Sequence, residues 1–117
     1  MTGIISRTLG RLTTVDHEAG ELKHDAEKAG CSPISSQCMR ENVQIHGVLR
    51  CVTLRPVDGV SALEAELYDG SASVTLVWLG RRKIEGITPG RQLTAHGRLG
   101  LRKGERVLYN PSYELGA

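Results

Sequence analysis

The chain has 117 residues, enough for one ordinary domain and too few for a second core of useful size. Apolar side chains make up 39% and there are 14 glycines, a globular composition that excludes a disordered or fibrous chain. No run approaches the ~20 apolar residues that cross a bilayer, and Arg7 and Arg11 interrupt the start before a secretory core forms. Membrane insertion and export are therefore not expected. Three cysteines (Cys31, Cys38, Cys51) suit a reduced, cytoplasmic chain better than a disulfide-stapled one. With no Phe, one Trp and three Tyr, the core must be built from Leu, Val, Ile and Ala. The net charge is only +2, but it is unevenly spread: −1 over residues 1–30, +2 over 31–55, −4 over 56–77 and +5 over 78–117.

Residues 1–30 read as a helical extension. Ile4, Ile5, Leu9 and Leu12 recur near a 3.6-residue period, with Arg7 and Arg11 opposite. Asp16 is placed to cap a second helix ending near Gly30, with acids early and Lys28 late, as the helix dipole favours. Ser32, Pro33, Ser35 and Ser36 mark residues 31–42 as a linker. A barrel is expected over 43–117.

From Val43 the period becomes two. Val43, Ile45, Gly47 and Leu49 share one face, then the apolar set moves to Val52 and Leu54. That switch requires a bulge or bend in a long first strand, and Gly47 makes close curvature cheap. Leu63, Ala65 and Leu67 alternate with Glu64, Glu66 and Tyr68, then run into Asp69-Gly70, a two-residue hairpin signal. A turn at 69–70 pairs Leu67 with Ala72, Ala65 with Val74 and Leu63 with Leu76, and on the outer face Glu66 with Ser73 and Glu64 with Thr75. Trp78 shares the inward parity and is expected in the core. A connection over 80–90 holds Arg81-Arg82-Lys83 and Ile84. A fourth strand carries Leu93, Ala95, Gly97 and Leu99 inward, and a loop over 100–104 follows. The fifth strand starts at Val107. Its inward parity is open, since Val107 and Leu108 compete.

An all-β core of five strands with an N-terminal helix, the first strand long and bent, matches the Greek-key barrel called the OB-fold. The chain also resembles a family of short actinobacterial proteins classed as OB-fold nucleic-acid-binding-domain proteins. The likeness rests on Val52-Thr53-Leu54-Arg55-Pro56, Ala62 to Gly70, Val77-Trp78-Leu79-Gly80-Arg81-Arg82, Ile87-Thr88-Pro89-Gly90-Arg91 and Tyr109 to Leu115. It covers roughly 43–115 and, more distantly, is similar to the wedge OB domain of branched-DNA helicases. The resemblance implies nucleic-acid binding, and together with the fold pattern and the +5 segment over 78–117 it leads to the expectation of a single-stranded or branched nucleic-acid partner.

Phosphate recognition needs cations, and the candidates form three groups: Arg50 and Arg55; Arg81, Arg82 and Lys83; and Arg98, Arg102, Lys103 and Arg106. Tyr109 ranks first among candidates for base stacking. Glu64 and Glu66 oppose a polyanion on the outer hairpin face. No metal site is expected, because Cys31 and Cys38 are too far apart in sequence and His17 and His24 lie two helical turns apart. No nucleophile elbow, phosphate-binding glycine loop or zinc-protease helix occurs, so neither an enzyme nor a cofactor is expected. The alternative function is a protein-interaction or self-association module acting through residues 1–30.

Overall fold

A computed structural model describes residues 18–116. The helix expected at Ile4 to Leu12 and the cap at Asp16 lie outside these residues. Helix α1 covers 18–28 and ends in a Schellman motif: Cys31 N–H donates to the Ala26 carbonyl (2.9 Å) and Gly30 N–H to that of Glu27 (2.9 Å). Gly30 supplies the left-handed residue that the motif needs, at φ 78°. The Ala19 carbonyl and the Lys23 stem pass directly over Gly70, which docks the helix on the turn of the following hairpin.

The segment expected to be a linker is anchored. It holds a 3-10 turn, Ile34–Ser36, whose Ile34 is fully buried among the core residues. Its main chain is tied to the same hairpin turn, Ile34 N–H donating to Asp69 Oδ2 (2.7 Å) and Ser35 N–H to Ser71 Oγ (3.2 Å).

Seven strands follow: β1 Asn42–Val57, β2 Val60–Tyr68, β3 Ser73–Leu79, β4 Gln92–Arg98, β5 Gly100–Arg102, β6 Glu105–Tyr109 and β7 Ser112–Leu115. They form one open sheet in the order β5-β6-β3-β2-β1-β4-β7. All ladders are antiparallel except the parallel pairing of β3 with β6. The main core draws on Ile45 and Leu49 from β1, Leu67 from β2, Leu76 from β3, Leu93 from β4 and Leu108 from β6, all essentially inaccessible.

The long first strand is present, and its register slips by one residue between Leu49 and Val52. The bulge therefore falls at Arg50-Cys51, three residues beyond Gly47. Gly47 answers a different need: any Cβ there would collide with the Tyr68 carbonyl.

The β2–β3 hairpin corrects the expected register. Leu67 pairs with Val74, Ala65 with Leu76, Leu63 with Trp78, Glu66 with Thr75 and Glu64 with Val77. The ladder continues past Tyr68 and Ser73 to a bond from Asp69 N–H to the Ala72 carbonyl (3.3 Å), so the two-residue turn falls at Gly70-Ser71, one residue later than expected, where the Asp69 carboxylate gathers the donors of the turn. Its Oδ1 accepts from Ser71 N–H (2.9 Å), the Ser71 hydroxyl (2.7 Å) and Ala72 N–H (3.1 Å). An even slip leaves every side chain on its expected face.

The final strands also differ in detail. The expected 100–104 loop is strand β5 plus a two-residue turn at Lys103-Gly104, both at positive φ, as a primed hairpin turn requires. The expected fifth strand is divided by Asn110-Pro111 into β6 and β7, so five expected strands become seven. The open parity of β6 has a physical answer. Leu108 enters the main core, while Val107 packs on the opposite face in a small second cluster with Ala62 and Val77. Trp78 is core, as expected: its indole N–H donates to the Pro111 carbonyl (3.1 Å) and its ring meets Tyr113 edge-on at 5.7 Å.

Candidate nucleic-acid interface

The outer face of β1, β2, β3 and β6 carries the side chains whose parity points away from the core. Ala62, Val77 and Val107 make an apolar patch there. Beside it lies Glu64, only 7% exposed, held by Arg102 through two parallel bonds of 2.9 and 3.2 Å. Such a bidentate, charge-assisted pair is strong where water is largely excluded. The Glu64 hydrogen bond is the largest cause holding the Arg102 guanidinium above its ordinary value, with the Tyr109 phenol adding to the effect. Tyr109 itself is 46% exposed on the same face.

Next to this network is a hollow of about 470 Å3. Arg55 and Arg106 border it, as do Glu64, Glu66 and Glu105, and Thr53 and Thr75 also line it. Once Arg102 is assigned to Glu64, two arginines face two carboxylates. Charge on this surface is thus nearly balanced. The Arg106 Nε is buried without a hydrogen-bond partner.

The candidate cations divide. Arg55, Arg102, Lys103 and Arg106 come together around this face and its β5–β6 turn, with Tyr109 among them. Arg50 does not join the lining; its guanidinium lies over the Tyr68 ring, 3.8 Å from the centroid. Arg82 and Lys83 border a separate hollow on the other side of β1, and Arg81 precedes them on the same exposed connection. Arg98 is exposed at the end of β4, opposite Asn42.

Sequence reasoning missed that Glu64 is buried and partnered. The available signal was its outward parity between Ala62 and Val77, an acid set in an apolar surround. It also missed Thr53 and Thr75 as lining residues, for which alternation alone carries no mark.

Among the described residues no cluster of His, Cys, Asp and Glu is arranged to hold a metal ion. No described helix is long and apolar enough to cross a membrane. The three cysteines are free, Cys31 buried, Cys38 and Cys51 exposed. Compared with known proteins, the chain matches no family model and no curated relative.

Proposed function

We propose that the protein is a non-enzymatic OB-type barrel, of the kind its sequence resembles, that binds single-stranded or branched nucleic acid across this outer face. If β4–β5 and β6–β7 are each counted as one bent strand, the seven segments become the five strands of a Greek key. The return of β6 beside β3 and the bulge in β1 support that description. Free thiols fit a reducing, cytoplasmic setting.

The observation that carries the reading is Tyr109, an exposed aromatic ring on a sheet face with Arg102 beside it, Arg55 and Arg106 around the adjoining hollow, and Lys103 on the β5–β6 turn whose Gly104 lines that hollow. A ring of this kind stacks a base for ~1–3 kcal/mol, and the cations meet phosphate on either side. Because Glu66 and Glu105 share the hollow, the affinity is modest and rests on few contacts.

Fluorescence anisotropy of a labelled oligothymidylate and of a forked duplex over a salt series tests this. Three engaged cations predict a log–log salt slope of about 2, at roughly 0.7 per phosphate on a single strand. Tyr109→Ala, or Arg55→Glu with Lys103→Glu, abolishes binding while the thermal midpoint stays in place. No binding at low salt removes the reading.

The same two carboxylates favour a second reading, an interaction module that takes a protein on this face or self-associates through residues 1–30. Light scattering of the full chain against one lacking residues 1–30 separates the self-association case, since a monomer in both excludes it.

A further inference from the structure

The hollow on the other side of β1 is chemically unlike the one on the outer face. It measures about 460 Å3, and Val52, Leu54, Leu63, Ile84 and Ile87 give it an apolar floor. Leu54 has the inward parity of its neighbours, yet it is 51% exposed, whereas Ile84 and Ile87, which reach the same hollow from the 80–91 connection, are buried. The rim carries Arg82 and Lys83 against the single carboxylate Glu85. No salt bridge engages either cation among the described residues. A third feature is the main chain. β4 pairs with β1 only as far as Val48, and Leu49 is held by Gly90 and Arg91. Beyond that point no strand among the described residues lies on the second edge of β1.

We propose that this hollow docks an extended acidic segment of a partner protein. One of its aliphatic side chains seats against Leu54, Leu63 and Ile84, and flanking carboxylates meet Arg82 and Lys83. The inference goes beyond the nucleic-acid reading and uses none of the residues that carry it. An apolar floor offers nothing to phosphate or ribose, so the rim cations here are better matched to an anion that also brings a hydrocarbon group. A peptide is favoured over a lipid by the unpaired edge, whose N–H and C=O groups serve a peptide main chain and not an acyl chain. Pro56, which has no N–H, limits such pairing to the stretch before it.

The test is anisotropy of a short fluorescein-labelled peptide in which two leucines are flanked by aspartates. One control peptide carries lysine for aspartate and another carries serine for leucine. Only the aspartate–leucine peptide is expected to bind. Arg82→Glu with Lys83→Glu weakens it about tenfold or more, as does Leu54→Asp, whereas Tyr109→Ala has no effect. The double charge variant alters only exposed side chains, so its result is readable whether or not Leu54→Asp folds. Failure of the aspartate–leucine peptide to bind overturns the proposal, as does undiminished affinity in the double variant. Equal binding of the serine peptide reduces the hollow to a bare charge effect and also overturns it. So does capture of the protein by phosphatidylglycerol vesicles in preference to the peptide. Displacement by oligothymidylate merges the two sites and refutes a separate one, while loss of oligonucleotide binding alone leaves this docking site standing.

Discussion

Asp69 and Glu64 are carboxylates of the same hairpin, 1% and 7% exposed, and the molecule satisfies them in opposite ways. Asp69 accepts four hydrogen bonds, three from main-chain N–H groups and one from a hydroxyl, so both oxygens are committed to holding the turn and the 31–36 segment together. Glu64 accepts from a single guanidinium, whose side chain remains 30% exposed. A carboxylate bound by backbone is a structural lock. One bound by a side chain leaves its partner, Arg102, partly open to solvent. The first region has no capacity left for a ligand, and the second does.

The largest effect should come from breaking the lock. Asp69→Ala leaves the N–H groups of Ile34, Ser71 and Ala72 without their acceptor and costs about 3 kcal/mol or more, read from urea unfolding. Gly47→Ala attacks the same end from the neighbouring strand, since its Cβ would strike the Tyr68 carbonyl. It should cost about 2–3 kcal/mol in the same measurement. Glu64→Gln sharpens the contrast: stability falls by about 1–2 kcal/mol, but the released Arg102 raises oligonucleotide affinity several-fold. A variant that loses stability without gaining affinity would place Arg102 in a purely structural role.

Much of this was legible in the chain. The alternation around Leu63 and Leu76 marks the core face, and the parity switch between Leu49 and Val52 marks a bulge to within a few residues. The position of the turn was not, because Asp69-Gly70 suits the two central positions as well as Gly70-Ser71 does until Ile34 arrives from 35 residues away to claim the Asp69 carboxylate. For the same reason Ile34, a single apolar residue among serines, gives no sign that it is core. The competition between Val107 and Leu108 was real, since both are buried on opposite faces of β6. In the site, the outward parity of Glu64 is readable but its pairing is not. Arg102 lies 38 residues away, on a segment that reads as loop.

The smallest effect concerns the thiols. Burial pushes the Cys31 thiol above its ordinary value of 9.0, partly offset by a hydrogen bond with Gln44. The folded chain therefore keeps this proton where the unfolded chain has lost it. That contribution is full below the ordinary value and is lost as pH rises through the raised one. Stability should decline slightly above about pH 9, and Cys31→Ala should flatten the decline. In the folded protein a thiol reagent should modify Cys38 and Cys51 promptly and Cys31 only after denaturation. Prompt labelling of all three would mean that the Asp69 end opens more readily than its bonding implies.

The contact between Ile34 and Asp69 also bears on where the domain can be cut. Removing everything before Cys31 spares both partners, whereas beginning at Asn42 deletes the only donor to Asp69 Oδ2 among the described residues and uncovers the core where Ile34 sat. The segment that completes the core thus begins at least eight residues ahead of the first strand, at Ile34, and truncations meant to isolate the β-sheet should respect that margin.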